Sequence, residues 1–113
     1  MYYKINIDET SRQNLKEETD NLFNQEEEKF KTLKECKDFL VERYTEKKIK
    51  NAIKKERIVY KDTKQGTKPI GFLISFWNKD YSHNTKSWYQ TDWVTITEVR
   101  EKAVFEKLKD MVK

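Results

Sequence analysis

Four residue types that small proteins often use for chemistry or for stapling are scarce in this chain. Among 113 residues there are 2 glycines, 1 proline, 1 cysteine and 1 histidine. So few glycines exclude a Gly-rich phosphate loop, and with them collagen-like and low-complexity architectures. No Walker, Gly-x-Gly-x-x-Gly or Gly-x-Ser-x-Gly pattern occurs. The lone Cys36 cannot close an internal disulfide. Cys36 and the lone His83 lie far apart, so no Cys/His spacing fits zinc. Neither a metal nor a cofactor is therefore expected. Long apolar runs are missing as well. The longest, Ile70 to Trp77, is interrupted by Gly71 and Ser75 and falls far short of the ~20 residues of a membrane span. The opening Met1-Tyr2-Tyr3-Lys4-Ile5-Asn6-Ile7-Asp8 has no apolar signal-peptide core and turns acidic at once. The expectation is a reduced, cytoplasmic protein with no membrane partner.

Charge and aromatic rings are what the chain has in quantity. Charged residues make up 39% and hydrophobic ones 35%, figures that on their own point towards disorder. An aromatic content of 13% argues instead for a packed core, because disordered chains are poor in large rings. The length suits one domain, residues 1–113, burying roughly two-thirds of its unfolded surface.

The net charge of +4 is unevenly placed. Residues 1–31 are net −3, residues 32–69 net +6 and residues 70–113 net +1. Lys47 to Lys68 alone holds nine basic residues against Glu56 and Asp62. Such a cluster is an electrostatic footprint for a polyanion, although a solvated Lys-rich helix face would look the same.

Periodicity supplies the elements. Tyr3, Ile5 and Ile7 alternate with polar neighbours, which predicts a strand over Tyr2 to Ile7. Leu15, Thr19, Leu22 and Phe23 fall on one stripe and predict an amphipathic helix over Ser11 to Asn24, capped by Asp8 or Thr10. Gln25 to Glu28 reads as a polar break or as that helix's solvated end. Thr32 with Glu35 has capping-box spacing, and Leu33, Cys36, Leu40 and Tyr44 share a face, predicting a helix over Leu33 to Tyr44. Glu46 to Lys55 extends it or forms a short further helix. Strands are predicted at Arg57 to Asp62, Ile70 to Trp77 and Trp88 to Val99, separated by turns at Thr63 to Pro69 and Asn78 to Ser87. Val104, Phe105, Leu108 and Met111 mark a last helix. Strands grouped after helices argue for an α+β fold with a small, mainly antiparallel sheet.

Few residues offer catalysis. Cys36 lies on an apolar stripe and reads as buried and structural rather than nucleophilic. His83 sits in a polar loop with Asp80, Tyr81 and Ser82, and Glu26 to Glu28 reads as a solvated acidic run. The less ordinary feature is a cluster of seven rings in 22 residues, Phe72, Phe76, Trp77, Tyr81, Trp88, Tyr89 and Trp93, which includes all three tryptophans. Lys68, Lys79, Lys86 and Arg100 interleave with it or flank it. Cations beside exposed rings are what single-stranded nucleic-acid binding needs, since cations neutralise phosphate and flat rings stack bases. Phe72, Ile74 and Phe76 share one strand face and read as core. Trp77 faces the other way, and Tyr81, Trp88 and Tyr89 bracket a polar loop. The candidate RNA-binding residues are Lys47, Lys48, Lys50, Lys54, Lys55, Arg57, Lys68, Trp77, Lys79, Tyr81, Lys86, Trp88, Tyr89 and Trp93.

Two families share this layout. The opening Met-Tyr-Tyr-Lys-Ile-Asn-Ile, the small basic size and the Trp-rich segment Phe72 to Ile96 resemble the PrgU-like proteins of enterococcal pheromone plasmids, which are PUA-like. The resemblance implies a PUA-like barrel flanked by helices, and a non-enzymatic RNA-binding regulator of gene expression encoded on a plasmid or other mobile element. The order strand, helices, antiparallel strands also resembles RelE-type ribosome-dependent endoribonuclease toxins. That resemblance implies acid–base roles for Lys79, Tyr81, His83 and Arg100, although the chain is poor in arginine and its Trp-rich loop is long for that family. A third reading is a protein-interaction module, such as an inhibitor of a host enzyme, with surface rings as anchors for a host or plasmid protein.

Overall fold

The structure, a computed structural model, describes residues 2–12, 21–64, 66–78, 88–98 and 104–112. Eight elements follow one another: β1 (Tyr3–Arg12), β2 (Asn21–Phe30), α1 (Leu33–Tyr44), α2 (Glu46–Lys54), β3 (Ile58–Thr63), β4 (Gly66–Asn78), β5 (Trp88–Glu98) and α3 (Phe105–Met111). The five strands form one sheet in the order β2-β1-β5-β4-β3, and every described pair is antiparallel. The protein is thus α+β. Of the two expected architectures, sheet and barrel, the described residues take the sheet, with β2 and β3 at its edges.

Side-chain alternation divides the sheet into two unlike faces. Ile5 lies opposite Ile96, and Val94 lies between Ile7 on β1 and Phe72 on β4. These residues are buried, together with Ile74, against Cys36, Leu40 and Tyr44 of α1, Ile49 and Ala52 of α2, and Val104, Phe105, Leu108 and Val112 at α3. Phe72 sits at the centre, its ring 5.9 Å from Phe105 and 6.5 Å from Tyr44. On the opposite face Lys4, Asn6, Asp8, Leu73, Ser75, Trp77, Trp93 and Thr95 are partly or fully exposed, and no described helix covers them.

Local chemistry explains most elements. Thr32 Oγ1 accepts from the Glu35 amide at 3.1 Å, so the capping box starts α1 where its spacing predicts. Thr45 ends α1 and caps α2, accepting from the Lys48 amide. Its φ of +74° turns the chain between the helices in a conformation that a β-branched residue rarely adopts. Gly71 faces β5 so closely that a Cβ there would collide with the Val94 carbonyl. Cys36 is buried as expected, and burial pushes its thiol up to about 11. None of the described helices is long and apolar enough to cross a membrane.

Three expectations about local structure need correction. The helix predicted over Ser11 to Asn24 is not formed where the chain is described: Ser11 and Arg12 end β1, and Asn21 to Asn24 begin β2, with residues 13–20 outside the described residues. Gln25 to Glu28 is the middle of β2 and neither a break nor a helix end. The helical stripe loses because β1 offers a long ladder of partners, from Tyr3 opposite Phe30 to Ser11 opposite Asn21, broken by one register shift that leaves Phe23 unpaired. Charged residues are also what an edge strand tolerates. Finally, Gly66 to Pro69 belongs to β4, not to a loop. Pro69 is accommodated opposite Tyr60 at a register shift, in a stretch of β4 that lies before its ladder with β5 begins at Gly71.

Candidate functional site

Two surfaces stand out, one on each face of the sheet. The uncovered face carries three cross-strand pairs between β4 and β5: Leu73 with Trp93, Ser75 with Thr91, and Trp77 with Tyr89. Trp77 and Trp93 are 49% and 40% exposed, so each large ring meets solvent. The Trp77 and Tyr89 rings meet edge-on at 5.3 Å. Between the two aromatic pairs runs a line of hydroxyls. Thr10 Oγ1 donates to the Thr91 carbonyl at 2.8 Å, and Thr91 and Ser75 share a hydroxyl hydrogen bond at 2.8 Å. Arg57 donates to Ser75 Oγ at 2.7 Å and ends the row. The face thus offers two ring positions four residues apart along β5, roughly 13 Å at strand rise, with the half-buried Ser75 and Arg57 between them and Thr10 and Thr91 buried beneath.

The predicted site residues divide between this face and the helix layer. Trp77, Tyr89, Trp93 and Arg57 come together on the uncovered face. Lys47, Lys48, Lys50 and Lys54 lie on α2, with Lys55 at its end, all exposed on the far side of the sheet. Lys68 is exposed opposite Lys61 on the β3–β4 hairpin. Trp88 is placed at the start of β5 by its backbone, while its side chain and Lys79, Tyr81 and Lys86 lie outside the described residues. So do the acid–base candidates His83 and Arg100, and the start of the last predicted helix.

The second surface was not legible as a site from motifs. On the helix-covered face the apolar alternation of β1 and β5 ends in polar residues, with Glu9 opposite Asp92. Asp92 is 1% exposed and Glu9 9%. Tyr44 donates its hydroxyl to Asp92 Oδ2 at 2.6 Å, and Gln90 donates to Asp92 Oδ1 at 2.7 Å. Arg43 donates to Glu9 Oε1 at 2.7 Å and to Glu26 at 2.6 Å. Burial, and then the neighbouring Asp92 charge, raise the Glu9 carboxyl above the usual glutamate value, partly opposed by Asn24 and Arg43. Burial and the bond to Asp92 push the Tyr44 phenol far up, so it stays a donor. These groups line a pocket of about 380 Å³, closed on its α2 side by Phe76 and Lys48, whose ammonium lies 5.9 Å from the ring. A signal was present in the sequence: Ile5-Ile7-Glu9 and Ile96-Val94-Asp92-Gln90 put acids at positions whose alternation demands the core.

Among the described residues no group of three or more His, Cys, Asp or Glu side chains is arranged to hold a metal ion. Comparison with protein-family models, curated proteins and solved structures returns no match to this chain.

Proposed function

We propose that this protein is a non-enzymatic RNA-binding module that takes single-stranded RNA on the uncovered face of its sheet. The observation that carries the reading is the pair of exposed aromatic positions, Trp77 with Tyr89 and Trp93 with Leu73, on a face that no described helix covers. A large ring held at half exposure on an uncovered sheet face is costly to leave against water and suited to stacking a base. Arg57 and the Ser75 hydroxyl between the rings, both half-buried, suit the sugar and phosphate of the intervening nucleotide. The exposed lysines of α2 and the β3–β4 hairpin add a general attraction for a polyanion from neighbouring surfaces. Control of gene expression, on a plasmid or other mobile element, is part of the same proposal and follows the PrgU-like resemblance.

The test is tryptophan fluorescence titration with short oligouridine and oligoadenosine at several salt concentrations. Quenching is expected, with an affinity that falls steeply as salt rises. Trp77→Ala and Trp93→Ala should each weaken binding by about 1–3 kcal/mol. An absence of binding at low salt, or binding indifferent to both substitutions, overturns the reading. Capture of a host or plasmid protein that survives nuclease treatment, without RNA binding, would favour the protein-interaction alternative instead.

A further inference from the structure

The pocket beneath α1 and α2 has features that packing alone does not require. Its two carboxylates continue the core-facing alternation in which β1 places Ile5 and Ile7 and β5 places Ile96 and Val94. The oxygens of Asp92 are taken by Tyr44 and Gln90, and Glu9 Oε1 by Arg43. Glu9 Oε2 is different: its hydrogen bond is a single 3.5 Å contact from Gln90, at the limit of a hydrogen bond. A buried carboxylate oxygen without a strong donor, on the wall of a cavity, is an acceptor waiting for a ligand N–H.

The rest of the lining narrows the ligand. The two acids in it, Glu9 and Asp92, face two cations, Arg43 and Lys48, and Arg43 is shared with Glu26, so the interior does not draw in an anion. A neutral group that donates to Glu9 suits the interior, and a negative tail suits the exposed Lys48 at the rim. The Phe76 ring offers a flat apolar wall. A volume of about 380 Å³ lies in the range of small-ligand sites, roughly 300–1,000 Å³. A guanine base fits all these terms: adjacent N–H donors on one edge, a planar ring, no charge of its own, and a phosphate behind it.

We propose that this pocket binds a guanine nucleotide, with the guanine N–H edge on Glu9, the ring against Phe76 and the phosphate towards Lys48. The chemistry is the same for a free nucleotide and for a guanine within RNA. The proposal does not rest on RNA binding by the opposite face.

The experiment is calorimetric titration of the full chain with GMP, IMP, AMP and CMP. GMP should bind, with IMP, which lacks the exocyclic amine, weaker, and with AMP and CMP undetected. Glu9→Gln should weaken GMP binding roughly tenfold or more, as expected for loss of a charged acceptor. A thermal melt establishes that this variant is folded. Should it not fold, Lys48→Ala supplies the check: it should weaken GMP but leave guanosine binding unchanged. Equal binding of all four nucleotides, no GMP binding, or GMP binding indifferent to the variant tested overturns the proposal. Trp77→Ala and Trp93→Ala should leave GMP binding intact, so failure of the pocket and failure of the RNA platform are read separately. Oligouridine carrying one internal guanosine distinguishes the sources. Tighter binding than both GMP and plain oligouridine identifies guanine in RNA as the ligand, and GMP alone binding better identifies the free nucleotide.

Discussion

Replacing Tyr44 by phenylalanine isolates a single buried hydrogen bond. The ring remains to pack edge-on against Phe72, and only the hydroxyl is lost. That hydroxyl donates to Asp92 at 2.6 Å, between a tyrosine 5% exposed and an aspartate 1% exposed. Both residues line the pocket, so water can replace the hydroxyl only in part, and Asp92 keeps its bond from Gln90. A hydrogen bond to a charged group contributes ~1.5–3 kcal/mol, and an abandoned buried acceptor keeps most of that cost. Tyr44→Phe should thus lose about 2–3 kcal/mol in urea unfolding followed by circular dichroism, with the slope unchanged. At roughly 4 °C per kcal/mol for a domain of this size, Tm should fall by about 8–12 °C. The double variant Tyr44→Phe with Asp92→Asn should recover part of the loss, because a neutral amide is less costly to bury without that donor. The cycle of four proteins should show a coupling of about 1 kcal/mol or more. A Tyr44→Phe protein within ~0.5 kcal/mol of wild type, or a cycle without coupling, would refute the reasoning.

Other consequences can be measured directly. Because the Glu9 carboxyl is raised, the folded state favours its protonated form relative to the unfolded chain, and that contribution is lost as pH rises through the raised value. Glu9→Gln should therefore gain stability relative to wild type as pH rises above the ordinary glutamate value, and a flat difference would contradict this. Gly71→Ala should cost about 3 kcal/mol, the top of the range for overpacking, since its Cβ meets the Val94 backbone; a loss under ~1 kcal/mol would show that β4 moves freely from β5. Cys36, buried and with its thiol pushed up to about 11, should resist a thiol-reactive disulfide reagent at about pH 8 until the protein unfolds, and rapid native labelling would refute its placement.

What could be read in the chain depended on whether local signals agreed with long-range pairing. Thr32, Glu35 and the stripe Leu33, Cys36, Leu40 predict α1 with its observed bounds, because cap and apolar face are both local. The pattern Phe72, Ile74, Phe76 against Trp77 locates both faces of β4 correctly, because strand alternation is also local. β2 was not legible. Asn24, Gln25 and three consecutive glutamates have little strand propensity, and what holds them is the ladder to β1. The pocket was missed for a related reason. Glu9 and Asp92 are 83 positions apart in sequence, and only the β1–β5 register makes them neighbours. The separation of the α2 lysines from Trp77 and Trp93 was equally hidden, since it follows from which face α2 packs against.

The place of β5 in the sheet has a consequence for how the chain is made. β5 is the centre of the sheet, flanked by β1 and β4, yet it is the last of the five described strands in chain order. β1, the first of the five, finds Tyr3 opposite Glu98 only once the chain has been made as far as β5. Until then β1 has β2 as its one neighbour, and the edge that β5 will occupy stands open. A nascent chain in that state is exposed to pairing with other chains. The three glutamates of β2 put like charge on an edge strand, a composition that disfavours pairing with a second copy. The β1–β5 ladder joins residues far apart in sequence, which places folding among the slower, non-local class, on the order of milliseconds to seconds.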